Sequence, residues 1–211
     1  MGMAPGIMVL SVEGGSRLFA VAVGTIGSFF VIILANDNAK IDQSSAQAQQ
    51  DELTKKYQEY QDKVNAQGDE LSKTYYPIFS VYSDRVAAFD KSSVKALATE
   101  DLKIGDGEEI KDGTSYSAYY IGFNPDGKIF DQSIDGNKLK APIKGQGLIE
   151  GWTEGVKGMK IGGVRLLTIP AEKAYGERGQ GDDIPPHTPL KFVVFAIPSP
   201  EEIPMPDFAT Q

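Results

Sequence analysis

Cysteine and histidine, which many enzymes use for covalent or metal chemistry, are almost missing from this sequence. The 211-residue chain has no cysteine and a single histidine, His187. Disulfides, thiolate nucleophiles and cysteine-ligated metals are therefore excluded, and one histidine gives a serine–histidine–aspartate triad little basis. No metal-ligand spacing, phosphate-binding loop or nucleophile elbow occurs. We therefore expect chemistry that needs no cofactor, no metal and no covalent intermediate.

Charge and composition narrow the class of protein further. The net charge is -8, whereas a basic patch is the usual footprint of nucleic-acid binding, so we expect no nucleic-acid partner. A hydrophobic content of 41% is enough for a packed core. The length favours one globular domain with additional elements, or two small domains.

Seven short sequence phrases follow one another between residues 120 and 190. In order, they are Tyr120-Ile-Gly, Asp126-Gly-Lys-Ile-Phe-Asp-Gln-Ser133, Leu148-Ile-Glu-Gly-Trp-Thr-Glu-Gly-Val156, Gly158-Met-Lys-Ile-Gly-Gly163, Arg165-Leu-Leu-Thr-Ile-Pro170, Ala174-Tyr-Gly176 and Ile184-Pro-Pro-His-Thr-Pro-Leu190. Their order and spacing closely resemble the FKBP-type peptidyl-prolyl cis-trans isomerases. The resemblance covers roughly Asp101 to Ile197 and does not include the first hundred residues.

The resemblance implies both a fold and an activity. The fold would be α+β, with an antiparallel sheet of five or six strands wrapped around one short helix. An apolar cleft between helix and sheet would hold a prolyl side chain. The activity would be isomerisation of X-Pro bonds in proline-containing polypeptides, and a macrolide is a plausible further ligand by the same resemblance.

The resemblance also assigns the residues of the pocket. Trp152, on the short helix, would form the floor, and the backbone N–H of Ile149 and the hydroxyl of Tyr175 would bind substrate carbonyls. Asp131 would orient Tyr120 or shape the polar rim. The full set of matching positions is Tyr120, Phe130, Asp131, Leu148, Ile149, Trp152, Tyr175, Ile184 and Phe192.

Two positions depart from the family's pattern. Leu139 stands in the stretch where the family usually has a pocket phenylalanine. Asp183 stands in the loop between Gly176 and Pro185, where an apolar residue is common, and adds a negative charge at the rim. These departures motivate an alternative function, a proline-binding holdase or assembly module with little turnover.

An aromatic cleft suits this reaction because no covalent bond is broken. The planar X-Pro amide is separated from its isomer by a barrier of about 18–20 kcal/mol, and uncatalysed exchange takes about 10–100 s. An apolar pocket favours the twisted amide, which has less charge separation than the planar one. A thousandfold acceleration requires only about 4 kcal/mol of differential binding.

The elements that would carry these residues can be read from local composition. Apolar runs at Tyr116 to Phe123, Gly163 to Ile169 and Leu190 to Ile197 predict strands, and Gly-rich turns separate them. Leu148 to Lys157 is the one predicted helix after residue 101. Arg165 is expected on the strand surface and His187 in a loop, and neither receives a role.

The region from 42 to 100 is predicted to be a helical stalk or linker. An apolar stripe with heptad-like spacing predicts an amphipathic helix between Asp42 and about Lys73. The stripe is compatible with a dimeric coiled coil or with a single helix that packs on its neighbours. Tyr76-Pro77 is expected to end this helix. A second helix is predicted from Pro77 to about Phe89, and one more turn from Ser92 to Leu97.

The N-terminal region contains an uncharged segment from Leu18 to Ala35, preceded by a tail of residues 1–17. At about 1.5 Å per residue the segment spans about 27 Å, close to the roughly 30 Å hydrocarbon core of a bilayer. Arg17 precedes it, which favours a single-pass anchor with the C-terminal domain outside the cytoplasm and exported proteins as substrates. The alternative is a cleaved signal peptide and a secreted protein. Residues 198–211 are predicted to form an extended Pro-rich tail.

Overall fold

The structure, a computed structural model, describes residues 43–206. Three short 3-10 helices lie at Ser80–Arg85, Lys91–Ser93 and Ala171–Lys173. The α-helices and strands are α1 (Gln43–Phe79), β1 (Ala98–Lys103), β2 (Tyr116–Phe123), β3 (Ile129–Gln132), β4 (Ile134–Asp135), β5 (Lys138–Leu139), β6 (Ile143–Lys144), α2 (Glu150–Gly155), β7 (Val164–Ile169) and β8 (Leu190–Pro198).

The predicted N-terminal tail and the uncharged segment at 18–35 lie outside the described residues. Within residues 43–206, no helix combines the length and the apolar character needed to cross a membrane.

The described residues fall into two compact units. One comprises 43–63 and 203–206, and the other comprises 64–202. In the first unit, α1 carries exposed ion pairs one turn apart, such as Lys56 with Glu52 at 2.8 Å. The second unit contains all eight strands, helix α2 and the last sixteen residues of α1.

The second unit is built on an antiparallel sheet with the strand order β1-β7-β8-β2-β3, and β6 also pairs with β2. Strands β4 and β5 form a separate hairpin. The expected antiparallel sheet and its short helix are confirmed, and strand β2 has the predicted bounds. Strand β1 was not predicted, and its register with β7 runs from Ala98 opposite Thr168 to Lys103 opposite Val164.

Strands β2 and β8 send alternate side chains to two packed faces of the sheet. One face packs on α2 and is called the α2 face, and the other is called the α1 face. The buried side chains of these two strands on the α2 face are Tyr116, Ala118, Leu190, Phe192, Val194 and Ala196. Those on the α1 face are Tyr119, Ile121, Phe123, Val193, Phe195 and Ile197. Both faces are therefore buried, and the burial of this apolar area is the main contribution to the stability of the larger unit.

The end of helix α1 covers the α1 face. Phe79 is fully buried, and its ring stacks on Phe195 with a centroid distance of 5.9 Å. Tyr75 meets the same ring edge-on at 5.5 Å. Ser72 accepts a hydrogen bond from the backbone N–H of Leu139 at 2.8 Å. The end of the predicted stalk is therefore part of the core of the larger unit.

The prediction that α1 ends at Tyr76-Pro77 is wrong, because the helix continues through Pro77 to Phe79. An internal proline costs about 3 kcal/mol, because Pro77 has no N–H to donate to the carbonyl of Lys73 and its ring crowds that carbonyl. The burial of Phe79 offsets that cost. The second α-helix predicted from Pro77 to Phe89 is replaced by the 3-10 helix at Ser80–Arg85. In place of the turn predicted from Ser92 to Leu97, a 3-10 turn forms at Lys91–Ser93 and overlaps only the first two predicted residues.

Arg165 is not a surface residue as predicted, since it is 7% exposed. Its Nε and Nη2 donate to the two carboxylate oxygens of Asp101 at 2.6 and 3.0 Å. Its Nη1 donates to the carbonyl oxygens of Gly155 and Lys157 at 2.9 and 3.0 Å. Arg165 therefore ties β7 to β1 and stabilises the C-terminal end of α2, where a positive charge is favourable.

Replacement of Arg165 by methionine is expected to lower the free energy of unfolding by about 2–3 kcal/mol, because it leaves buried carbonyl groups and Asp101 without their donor. Urea denaturation followed by the fluorescence of Trp152 measures the change. Arg85→Met is the matched control. Arg85 pairs at 2.8 Å with Glu100, which lies next to Asp101 on β1, and both side chains of this pair are exposed. The control is expected to change stability by less than about 1 kcal/mol. Equal losses in the two variants would contradict the buried role of Arg165.

Candidate active site

Four aromatic rings form a continuous group on the α2 face of the sheet. Trp152 is 2% exposed and lies in the first turn of α2. Its ring meets those of Tyr120 and Phe192 edge-on, with centroid distances of 5.8 and 5.4 Å. Phe130 in turn meets Phe192 edge-on at 5.5 Å. These are favourable aromatic geometries, and together they form an apolar surface between sheet and helix.

The indole of Trp152 is held in place by a residue that the sequence analysis did not single out. Its Nε1 donates a hydrogen bond to the hydroxyl oxygen of Tyr116 at 3.1 Å. Burial raises the pKa of the Tyr116 phenol, while the hydrogen bond from Trp152 has a smaller opposing effect. The polar end of a buried tryptophan is thereby satisfied, and the ring is fixed in one orientation. The sequence contained one signal for this role. Tyr116 lies two residues before Ala118 and four before Tyr120, so all three share one face of β2.

Asp131 reaches the site through Tyr120. The hydroxyl of Tyr120 donates a hydrogen bond to Oδ2 of Asp131. The Oδ1 atom of Asp131 accepts the backbone N–H of Gln132 at 2.8 Å. Burial raises the pKa of the Tyr120 phenol, and the hydrogen bond to Asp131 and its negative charge raise the pKa further. Tyr120 is therefore neutral at physiological pH, and the carboxylate orients it.

Two hydrogen-bond donors of the predicted site have no protein acceptor among residues 43–206. Ile149 is the residue before α2, and its carbonyl accepts the N–H groups of Trp152 and Thr153 at 3.0 and 3.1 Å. Its own N–H donates to no described group. The hydroxyl of Tyr175, which is half-buried against the aromatic group, likewise has no hydrogen-bond partner in the described part of the chain.

The loop after Tyr175 supplies one further side of the cleft. Ile184 is 3% exposed and belongs to the same apolar cluster as Trp152 and Phe192. The N–H of Gln180 donates to the carbonyl of Ile184 at 2.8 Å, and the reverse bond is 3.3 Å long. Leu148, which precedes α2, also packs on the cluster.

The structure brings together the nine site residues predicted from the sequence. Trp152, Ile184 and Phe192 are buried in the cluster, Tyr120, Phe130, Leu148, Ile149 and Tyr175 pack against it, and Asp131 contacts it through Tyr120. Leu139 does not join them. It is buried on the α1 face, because the β4–β5 hairpin turns its side chain towards the end of α1. Within the described residues, no group of three or more histidine or carboxylate side chains is arranged to hold a metal ion.

Gly122 makes the close packing of two site rings possible, a role that the sequence analysis missed. A Cβ atom at this position would lie 2.6 Å from the Phe130 ring and 2.8 Å from the Phe192 ring. Both distances are far below van der Waals contact. The glycine in the phrase Tyr120-Ile-Gly was the signal, because a glycine inside a strand often marks a close approach.

Gly122→Ala is expected to displace Phe130 from the cleft and to destabilise the protein by about 1–3 kcal/mol through overpacking. Urea denaturation measures the stability, and titration of Trp152 fluorescence with a prolyl peptide measures the cleft. Gly68→Ala is the control, because the added Cβ meets nothing within 4 Å beyond the backbone of its own helix. Alanine is expected to stabilise this helix by about 1 kcal/mol relative to glycine. A Gly122→Ala variant that kept wild-type stability and peptide affinity would contradict the steric role of Gly122.

One short helix packs on the sheet beside an aromatic cleft, and the cleft offers an apolar surface with two hydrogen-bond donors that have no acceptor in the described residues. The comparisons with known proteins assign the class. Residues 106–197 match the model of the FKBP-type peptidyl-prolyl cis-trans isomerases. A "FK506-binding protein" of Neisseria meningitidis serogroup A is 45% identical over 100 residues, which cover 47% of this chain and 92% of the relative.

Two further similarities extend the comparison. The "FK506-binding protein 4" of Rhizopus delemar is 43% identical over 98 residues, which cover 46% of this chain and 26% of the relative. A solved peptidyl-prolyl cis-trans isomerase from Pseudomonas syringae is 36% identical, covers 48% of this chain and 73% of that chain, and has a TM-score of 0.42. On the strength of the match to the Neisseria protein along most of its length, the chain belongs to the family of FKBP-type peptidyl-prolyl cis-trans isomerases.

Proposed function

We propose that the cleft around Trp152 is the active site of this isomerase and that its substrates are proline-containing polypeptides outside the cytoplasm. The observation that supports the site is the combination of four contiguous aromatic rings with two unused donors. A prolyl ring fits an apolar aromatic surface. The Ile149 N–H and the Tyr175 hydroxyl would bind the carbonyl groups on either side of it.

The cleft would accelerate rotation by binding the twisted amide more tightly than the planar one. The aromatic walls replace water around the reacting bond, which favours the state with less charge separation. Oriented donors hold the flanking carbonyls in the rotated geometry. Asp131 would keep Tyr120 in place and would not exchange a proton during the reaction.

Tyr175→Phe is expected to lower kcat/KM for a short X-Pro peptide by about fivefold, since a neutral hydrogen bond contributes about 1 kcal/mol. The isomerase assay uses the full chain. Tyr82→Phe is the matched control, because Tyr82 is a half-buried tyrosine that packs on the α1 face. We expect its activity to equal that of the wild type. A Tyr175→Phe variant as active as this control would remove the hydroxyl from the mechanism.

The isomerase assay with and without FK506, combined with binding measurements, distinguishes turnover from simple binding. Several relatives are named for binding FK506, and we propose that this macrolide occupies the cleft and inhibits the isomerase. Binding of prolyl peptide and macrolide with no catalysed exchange in the wild type would favour the holdase alternative. Isomerase activity that the macrolide does not inhibit would place the macrolide elsewhere or exclude it.

We also propose that residues 18–35 anchor the protein in a membrane, with the isomerase domain on the extracytoplasmic side. The proposal is supported by eighteen consecutive uncharged residues after Arg17 and polar residues from Asn36 onward. The absence of a small-residue cleavage motif after the segment favours an anchor over a signal peptide. Proteins exported across that membrane would then be the natural substrates.

The full chain is expected to stay in the membrane pellet after an alkaline carbonate wash. A variant with Gly24→Arg and Gly27→Arg is expected to be extracted, because each charge at the centre of a span costs about 2.5–3.5 kcal/mol. Intact mass of the native protein supplies the second readout. A mature protein that begins after Ala35 would replace the anchor with a cleaved signal peptide.

A further inference from the structure

The sequence analysis placed a negative charge, Asp183, at the rim of the cleft but gave it no role in the reaction. The contacts of Asp183 in the structure indicate a positioning role. We propose that Lys128 and Asp183 are positioning residues of the isomerase. Their ion pair holds the loop of residues 176–187, here called the flap, so that Ile184 forms a wall of the prolyl pocket. The proposal deepens the proposed function of the cleft and rests on it.

Backbone hydrogen bonds within the flap join its two ends and also its tip. At its base, the N–H of His187 donates to the carbonyl of Gly176 at 2.8 Å. At its tip, Gln180 and Ile184 pair through both backbone bonds. Gly179 is confined by its neighbours, since a Cβ there would lie 2.2 Å from the carbonyl oxygen of Ile184. The flap is therefore expected to move as one piece, and a contact at its tip controls the whole loop.

The tip is attached to the turn between β2 and β3 by one residue, Asp183. Its Oδ1 lies 2.5 Å from Nζ of Lys128, and its backbone carbonyl accepts a hydrogen bond from the Asn124 amide at 3.5 Å. The Asp183 carboxylate raises the pKa of Lys128 through this hydrogen bond and its charge. Ile184, the next residue, is the buried wall of the cleft, so the charged contact and the apolar contact are one residue apart.

On the side of the flap that faces Phe89, few other contacts hold the flap to the rest of the domain. A cavity of about 610 Å³ lies beside it, and Asp183, Pro185 and Pro186 line this cavity together with Phe89 and Lys128. Because open space separates the flap from the segment around Phe89, the contacts of Asp183 bridge that side of the flap to the sheet. Loss of the ion pair would leave only the weak Asn124 contact there.

The turn that holds the flap is itself rigid. Asn124 is 7% exposed, and its Oδ1 accepts the N–H groups of Asp126 and Lys128 at 3.1 and 3.0 Å. The carbonyl of Pro125 accepts the N–H of Phe89 at 2.8 Å. Phe89 lies before the residues that match the family model. A segment outside the family domain therefore supports the turn to which the flap is attached.

The expected effect is modest, because both side chains of the pair are at least half exposed. Exposed ion pairs are weak, so we expect a change of at most about fivefold in affinity. Lys128→Glu and Asp183→Lys should each raise KM for a prolyl peptide by about two- to fivefold and leave kcat within about twofold. The double variant restores the pair with reversed polarity and should return KM to the wild-type value.

The experiment measures the flap in two independent ways. Catalysed exchange and the fluorescence of Trp152, the only tryptophan in the chain, report peptide binding and turnover. The rate of trypsin cleavage after Arg178, an exposed flap residue, reports the flap without any ligand. It should rise in each single variant and return to the wild-type rate in the double variant. Lys144→Glu is the control, since Lys144 forms an exposed pair with Glu202 at 2.9 Å away from the flap.

Rescue by the double variant in both measurements supports the proposal, whereas single variants that match the wild type, or a double variant that is not rescued, overturn it. A fall in kcat with unchanged KM would also overturn it, because the pair would then act on the reaction and not on the wall of the pocket. A wild-type protein without isomerase activity would refute the proposed function alone. The cleavage rates after Arg178 would still decide whether the pair holds the flap.

Discussion

The central strands β2 and β8 have to bury both of their faces at once, and the remaining elements of the larger unit are arranged around that requirement. Helix α2 covers one face and the end of α1 covers the other. Because successive side chains of a strand point in opposite directions, Tyr120 faces the cleft while Tyr119 faces α1. A slip of one residue in the β2–β8 register would exchange the two. The docking of α1 and the geometry of the cleft therefore depend on the same register.

The cleft owes its shape to contacts that lie below its surface. Trp152 is oriented by Tyr116, and the helix that carries it is held at its other end by Arg165. Gly122 leaves the space in which the rings of Phe130 and Phe192 meet. A reaction without covalent chemistry depends on such preorganisation, because differential binding of the twisted amide requires walls that do not adapt equally well to the planar one.

The apolar strands could be predicted from the sequence, because strand composition is a local signal. The site residues followed from the family resemblance, which rests on short contiguous phrases, and the structure brings these residues together. The sequence did not reveal β1, whose residues Ala98–Lys103 are nearly all exposed and lack an alternating pattern. The burial of Arg165 could not be foreseen either, since its partners are carbonyl groups of a helix about ten residues earlier. The preference of the residue before a proline for extended backbone predicted a helix end at Pro77. The helix continues to Phe79 because that side chain is buried in the core of the larger unit. Leu139 was matched by position to the pocket, but the hairpin that carries it faces α1.

The position of β8 in the sheet has a consequence for how the domain folds. It is the last strand among residues 43–206, yet it lies between β7 and β2. Neither of its neighbours can complete its hydrogen bonds before β8 is available, so the sheet cannot be assembled strand by strand in the order of synthesis. Its pairing with β2 also joins residues far apart in the chain, such as Tyr116 and Pro198. Long-range pairing of this kind makes folding slow, and a nascent chain would carry an incomplete, exposed sheet until its final strand emerges.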